Sequence, residues 1–201
     1  FTRNQQTNTS INSIPHDKWG FLSIAYDTVS GGIFTADYIV DDQVVNLFDA
    51  LAVGKCNSVK SPMILGGNLT AMMHELTIWN YARSIEEAQS EMYTAKNAST
   101  THLIGYWRMD EGYGNMAEDI AQGHHLILPN EHAWYLSDEN IAAQLNGQTA
   151  MLMNISTISP TEEDDYLLEL WVNPAAQNGD AVLLSNGLGF ELGVNAQGNL
   201  S

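Results

Sequence analysis

One nine-residue stretch, YLLELWVNP at 166–174, narrows the possible folds more than any other part of the chain. Read with a period of two, Tyr166, Leu168, Leu170 and Val172 share one face, and Leu167, Glu169 and Trp171 share the other. That alternation belongs to a β-strand, whose successive side chains point to opposite sides of a sheet. Glu169 breaks the pattern. A carboxylate among apolar neighbours needs a partner or an opening to water.

The same texture runs along the chain. Short apolar segments such as KWGFLSIAYD (18–27), MMHELTIWN (72–80), LIGYWRMD (103–110), TAMLMNI (149–155) and DAVLLSNG (180–187) are separated by Gly, Asn, Asp and Ser. Strands this short and this regularly punctuated predict an all-β antiparallel β-sandwich. NAQG at 195–198 predicts a hairpin turn with Gly198 at positive φ, and VDDQ at 40–43 predicts another with Asp42 where glycine would sit more easily. One helix is expected near 84–93: Ser84 and Glu87 form a capping box, and Ile85, Ala88, Met92 and Tyr93 fall on one stripe. TAKNASTT (94–101) reads as a boundary and SPTEEDD (159–165) as a loop.

Seven Lys and Arg against twenty-four Asp and Glu give a formal charge of −17. Binding to nucleic acid needs clustered cations against the phosphates, and none is present, so nucleic acid is excluded as a partner. No apolar run reaches the roughly 18 residues of a membrane span, so no direct membrane insertion is expected. The single Cys56 permits no internal disulfide. NLT (68–70) and NAS (97–99) match the N-glycosylation acceptor pattern. Neither end reads as a natural terminus, and the chain is expected to be a piece of a longer protein.

GYWRMDEGYGNMAEDIAQG, with Trp107, Asp110, Glu111, Gly112, Gly114 and Asp119, resembles the opening of the laminin-G-like, concanavalin-A-like jelly-roll modules of bacterial surface proteins. WGFLSIAYD, the hairpin ADYIVDDQVV, the step ILGGN and the closing HELTIWNYARSIEEAQ resemble the second half of such a module. The halves stand in reversed order. The expected organisation is the C-terminal part of one module at 1–97, followed by the N-terminal part of the next at 98–201. The alternative is one permuted sandwich over 1–201. The contact that separates them is direct pairing of strand 103–109 with strand 72–80, which the permuted arrangement requires.

Sugar hydrolysis on such a fold needs paired carboxylates on one strand, as in E-x-D-x-x-E. HELTIW and LLELWV each carry a lone Glu, so Glu75 and Glu169 read as structural and no enzyme is expected. Calcium takes six to eight oxygens from carboxylates and carbonyls. Asp119, Asp110, Glu111 and Asn115, among glycines, are the candidate ligands for a Ca2+ ion, a structural calcium near this turn being one implication of the resemblance. The competing reading is that these side chains bind local amides and shape the turn. Trp19, Trp79, Trp107 and Trp171 lie in apolar strands and are expected in the core, whereas Trp134 and Tyr113, set among polar residues, are the candidate sugar platforms. The resemblance implies a non-catalytic module of a large extracellular or cell-surface protein, active in adhesion or glycan binding. Its partners would be glycans, surface proteins or neighbouring modules of the same chain; a structural spacer is the alternative.

Overall fold

The computed structural model describes residues 9–28, 32–52, 63–128, 133–137, 140–153, 165–185 and 191–201, with 49–52 and 153 by backbone alone. Cys56 and residues 159–164 of the predicted loop lie outside the described residues. The elements are β1 (Gly20–Asp27), β2 (Ile33–Val40), β3 (Gln43–Ala52), β4 (Met63–Leu65), β5 (Thr70–Trp79), α1 (Ile85–Glu91), β6 (Leu103–Trp107), β7 (Met116–Ala117), β8 (Leu126–Ile127), β9 (Trp134–Leu136), β10 (Ile141–Asn146), β11 (Met151–Met153), β12 (Tyr166–Pro174), β13 (Ala181–Ser185) and β14 (Glu191–Val194).

They make an all-β sandwich of two antiparallel sheets. The larger runs β3-β2-β1-β12-β5-β10-β9, with β6 also paired to β5; the smaller runs β14-β13-β4-β11-β8-β7. The alternation of β12 has its predicted outcome. Leu168, Leu170 and Val172 enter the main core between the sheets, while Leu167 packs with Trp79, Leu103 and Tyr106 on the outer side. Trp171 packs there too, against the cluster that Phe21 and Ile39 form with Ala88 and Met92 of the α1 region. A strand covered on both faces can be apolar on both, which is why β12 reads as nearly continuous hydrophobic sequence.

Local sequence explains the turns and the helix. Asp41 and Asp42 both adopt positive φ, 51° and 60°, between the paired Val40 and Gln43, the conformation of a two-residue I′ turn. Gly198 takes φ 80° and its amide donates to the Asn195 carbonyl at 2.9 Å. Ser84 accepts from the Glu87 amide while the Glu87 carboxylate accepts from the Ser84 amide, completing the capping box of α1.

Strand β5 changes neighbours part-way. Its residues 70–73 pair with β10 and its residues 76–79 with β6, Leu76 opposite Trp107 and Thr77 opposite Tyr106. Between them, Glu169 of β12 stands opposite Thr77 and Trp171 opposite His74, so one residue of β12 faces two of β5. This is a β-bulge, and Glu75 occupies it at φ 51°. The pairing of 103–107 with 76–79 is the contact that a single sandwich requires, and strands of both portions share both sheets. The segment near the start joins this arrangement: Ser10 donates to the Leu200 carbonyl at 2.8 Å and Ile14 to that of Gly198 at 2.9 Å.

The tryptophans divide differently from their expectation. Trp79 and Trp107 are fully buried, but Trp19 and Trp171 are half-buried. Trp171 lies on the outer face of β12, where helix residues cover only part of the ring.

Candidate functional site

Two places on the sandwich concentrate polar chemistry. The first is the loop from Asp110 to His125, which follows β6 and carries every candidate metal ligand and Tyr113. Asp119 is buried, and its carboxylate is a hub for backbone amides. Those of Tyr106 and Ala121 donate to Oδ1 at 2.9 Å each, and those of Gln122 and His124 donate to Oδ2 at 3.1 and 2.9 Å. A carboxylate offers about four lone-pair sites, and four amides occupy them. The shaping of the turn by local amides thus accounts for the whole of the Asp119 side chain. A calcium ion there would have to displace amides that the buried turn cannot satisfy elsewhere.

The other candidates are dispersed. Asp110 pairs with Arg108, and Glu111 Oε1 accepts from the Glu118 amide at 2.8 Å, closing the loop across its base. Asn115 is exposed, and its carbonyl accepts from the Leu128 amide at 2.8 Å. Among the described residues, no group of three or more His, Cys, Asp or Glu side chains is disposed to hold a metal ion.

Trp134 and Tyr113 do come together, in unequal roles. Tyr113 is 78% exposed. Trp134 is buried at 8%, contrary to its expected exposure, with its indole Nε1–H donating to the Gly114 carbonyl at 2.8 Å. The polar flanks that suggested exposure belong to an edge strand, and the loop lies over that strand's tryptophan. Trp134 therefore anchors the loop from which Tyr113 projects. Leu136, beneath Gly112, and Tyr135 add further exposed apolar surface at this corner.

The second place, not foreseen in the sequence, lies on the outer face of the larger sheet. The Arg83 guanidinium meets the Glu169 carboxylate through Nε–H at 3.2 Å and through Nη2 at 2.8 Å to both oxygens. Trp79 Nε1–H donates to Glu169 Oε2 at 2.9 Å and the Thr77 hydroxyl donates to it at 3.2 Å. Arg83 also donates to Glu91 at 2.8 Å and stacks over the Trp79 ring, 4.9 Å from its centroid. This is the partner that Glu169 needed. Beside it is an open hollow of about 300 Å³ walled by Ala25, Asp27, Thr35, Arg83, Ser84 and Glu87.

The bulge links the two places. The Tyr106 hydroxyl donates to Glu75 Oε1 at 3.1 Å, and the Glu75 amide donates to the Arg108 carbonyl at 3.0 Å. Burial, reinforced by the Glu75 charge, pushes the Tyr106 phenol up to about 12. Burial also holds the His74 imidazole below its usual range, against the opposing pull of Glu75 and Asp110. Tyr93, expected on the buried stripe of the helix, is 74% exposed and stacks on Trp171 at 5.3 Å.

No helix among the described residues is long and apolar enough to cross a membrane. No family model, curated protein or solved structure matches the chain.

Proposed function

We propose that this chain is a non-catalytic recognition module of an extracellular or cell-surface protein, acting in adhesion through carbohydrate, and that its two portions work as one permuted sandwich. The observation that carries the reading is Tyr113: an aromatic ring left in solvent at the tip of a loop whose backbone is clamped beneath it. Glu111 closes the base on the Glu118 amide, Trp134 holds the Gly114 carbonyl, and the Asp119 hub fixes the following turn. A pyranose packs its C–H face on an aromatic ring, and a rigid platform binds with less loss of conformational entropy than a mobile one. The lone glutamates of β12 and β5 are engaged structurally, Glu169 with Arg83 and Glu75 with Tyr106. This favours binding over catalysis.

The test is a glycan array probed with the whole chain and with Tyr113→Ala. Binding to a defined glycan set that is lost in the variant, with unchanged thermal unfolding, supports the reading. Silence across the array favours a structural spacer.

A further inference from the structure

We infer that the ligand taken at the Tyr113 loop is a glycan bearing free amino groups, rather than a neutral, carboxylated or sulfated one; this rests on the glycan reading above. The observation behind it is the disposition of the cations. Four Lys and Arg residues lie among the described residues, and each is engaged. Lys18 is held by Asp41 at 2.8 Å, Arg108 by Asp110, and Arg83 by Glu169 and Glu91. The Lys96 ammonium donates to the carbonyls of Glu91 and Thr94 at 2.8 and 2.7 Å. Sulfate and carboxylate groups are recognised through charge-assisted bonds from Arg and Lys. Among the described residues, supplying one would mean breaking an existing ion pair or the Lys96 contacts.

The loop itself has the opposite character. Arg108, just before the loop, is paired with Asp110, and within the loop Glu111, Glu118 and Asp119 stand against His124 and His125. Glu118 is exposed, and among the described residues the buried Oε2 of Glu111 has no hydrogen-bond donor, its carboxylate being met only by the Glu118 amide at Oε1. The field of a chain with formal charge −17 adds to this from a distance. An ammonium group on a sugar packed against Tyr113 gains from these carboxylates and from the face of the ring. A neutral sugar gains only the packing, and an anionic one is repelled.

Calorimetric titration of the whole chain tests this at a mildly acidic pH where sugar amines are protonated. The ligands are a glucosamine oligomer, its N-acetylated counterpart and a heparin fragment of matched length, with oligolysine as a charge control. The expected result is binding of the glucosamine oligomer about tenfold or more tighter than the acetylated one, weakening as salt screens the charges. That binding should be lost in Tyr113→Ala while the melting temperature is kept. Equal or tighter binding of the acetylated oligomer, or binding of heparin, overturns the inference and leaves the glycan reading standing. Oligolysine binding as tightly as the glucosamine oligomer also overturns it, because charge without sugar would suffice. No response to any oligosaccharide here or on the array overturns the glycan reading itself.

Discussion

Arg83 and Glu169 stand 86 residues apart in sequence and meet at 2.8 Å, each with its side chain only 2% exposed. The pair lies where β12, β5 and the entry to α1 converge, so it ties the segment after β5 to the centre of the larger sheet. Its acceptor is fully used: Arg83, Trp79 and Thr77 all donate to one carboxylate.

Removing one member should cost far more than removing both. Arg83→Met leaves Glu169 buried without its counter-charge and is expected to destabilise by about 3–5 kcal/mol. The double variant Arg83→Met/Glu169→Leu should recover most of that loss, because well-packed apolar groups often replace a buried pair at little cost. Urea unfolding of the single and double variants measures both. A cost for Arg83→Met below about 1 kcal/mol, the level of a surface pair, would contradict the buried pairing.

Asp119→Ala strands four amides at once and is expected to cost about 3 kcal/mol or more, since each unsatisfied buried donor carries its own penalty. Asp119→Asn should lose less, because its amide oxygen still accepts. With the carboxylate committed to amides, the melting temperature in calcium should equal that in EDTA. A rise with calcium would mean an ion bound to the native state and a rearranged turn.

Two shifted groups give stability a pH profile. Burial disfavours the charged imidazole of His74, so its folded pKa lies below the 6.5 of the exposed group. The unfolded chain then binds protons more readily, and stability falls as pH drops below 6.5. His74→Gln should flatten that acid limb. Tyr106 has the opposite sense: its folded pKa is raised from 10.0 to about 12, so the contribution is intact below pH 10 and is lost as pH rises towards 12. Chemical denaturation across the acid range, and phenolate absorbance of wild type against Tyr106→Phe across the alkaline range, check the two limbs.

Asp42→Gly should stabilise the β2–β3 hairpin. Asp42 holds φ 60°, a left-handed conformation that glycine adopts without a Cβ clash, and the expected gain is about 0.5–1 kcal/mol. Thermal unfolding checks it, and no gain would mean that the aspartate stabilises the turn by as much as its backbone costs.

Features set by neighbours in sequence were legible in it. The alternation over 166–172, the Ser84/Glu87 box and the turns at 41–42 and 198 each need only a few adjacent residues, and each is present. The tie of Asp119 to its own turn belongs to the same class. What needed the third dimension stayed hidden. Glu169 advertised a missing partner, but nothing local singled out Arg83 to fill the role. Trp134 sits among polar residues because its strand lies at a sheet edge, and only the folded loop shows it covered. Tyr93 sits on the helix stripe, yet the stripe ends where the sheet offers it only the ring of Trp171. Glu75 gave no sign of a bulge, since no glycine marks it.

The split partnership of β5 has a consequence for how the molecule can come into being. Among the described residues of 9–97, β4 alone joins the smaller sheet, whereas β12 enters the larger one between β1 and β5. A nascent or truncated first portion would present Leu22, Ile24, Met73 and Ile78 with little more than β4 opposite to receive them. Acquisition of structure must therefore await pairings across most of the polypeptide, a long-range topology that assembles slowly and leaves unpaired strand edges open to aggregation meanwhile.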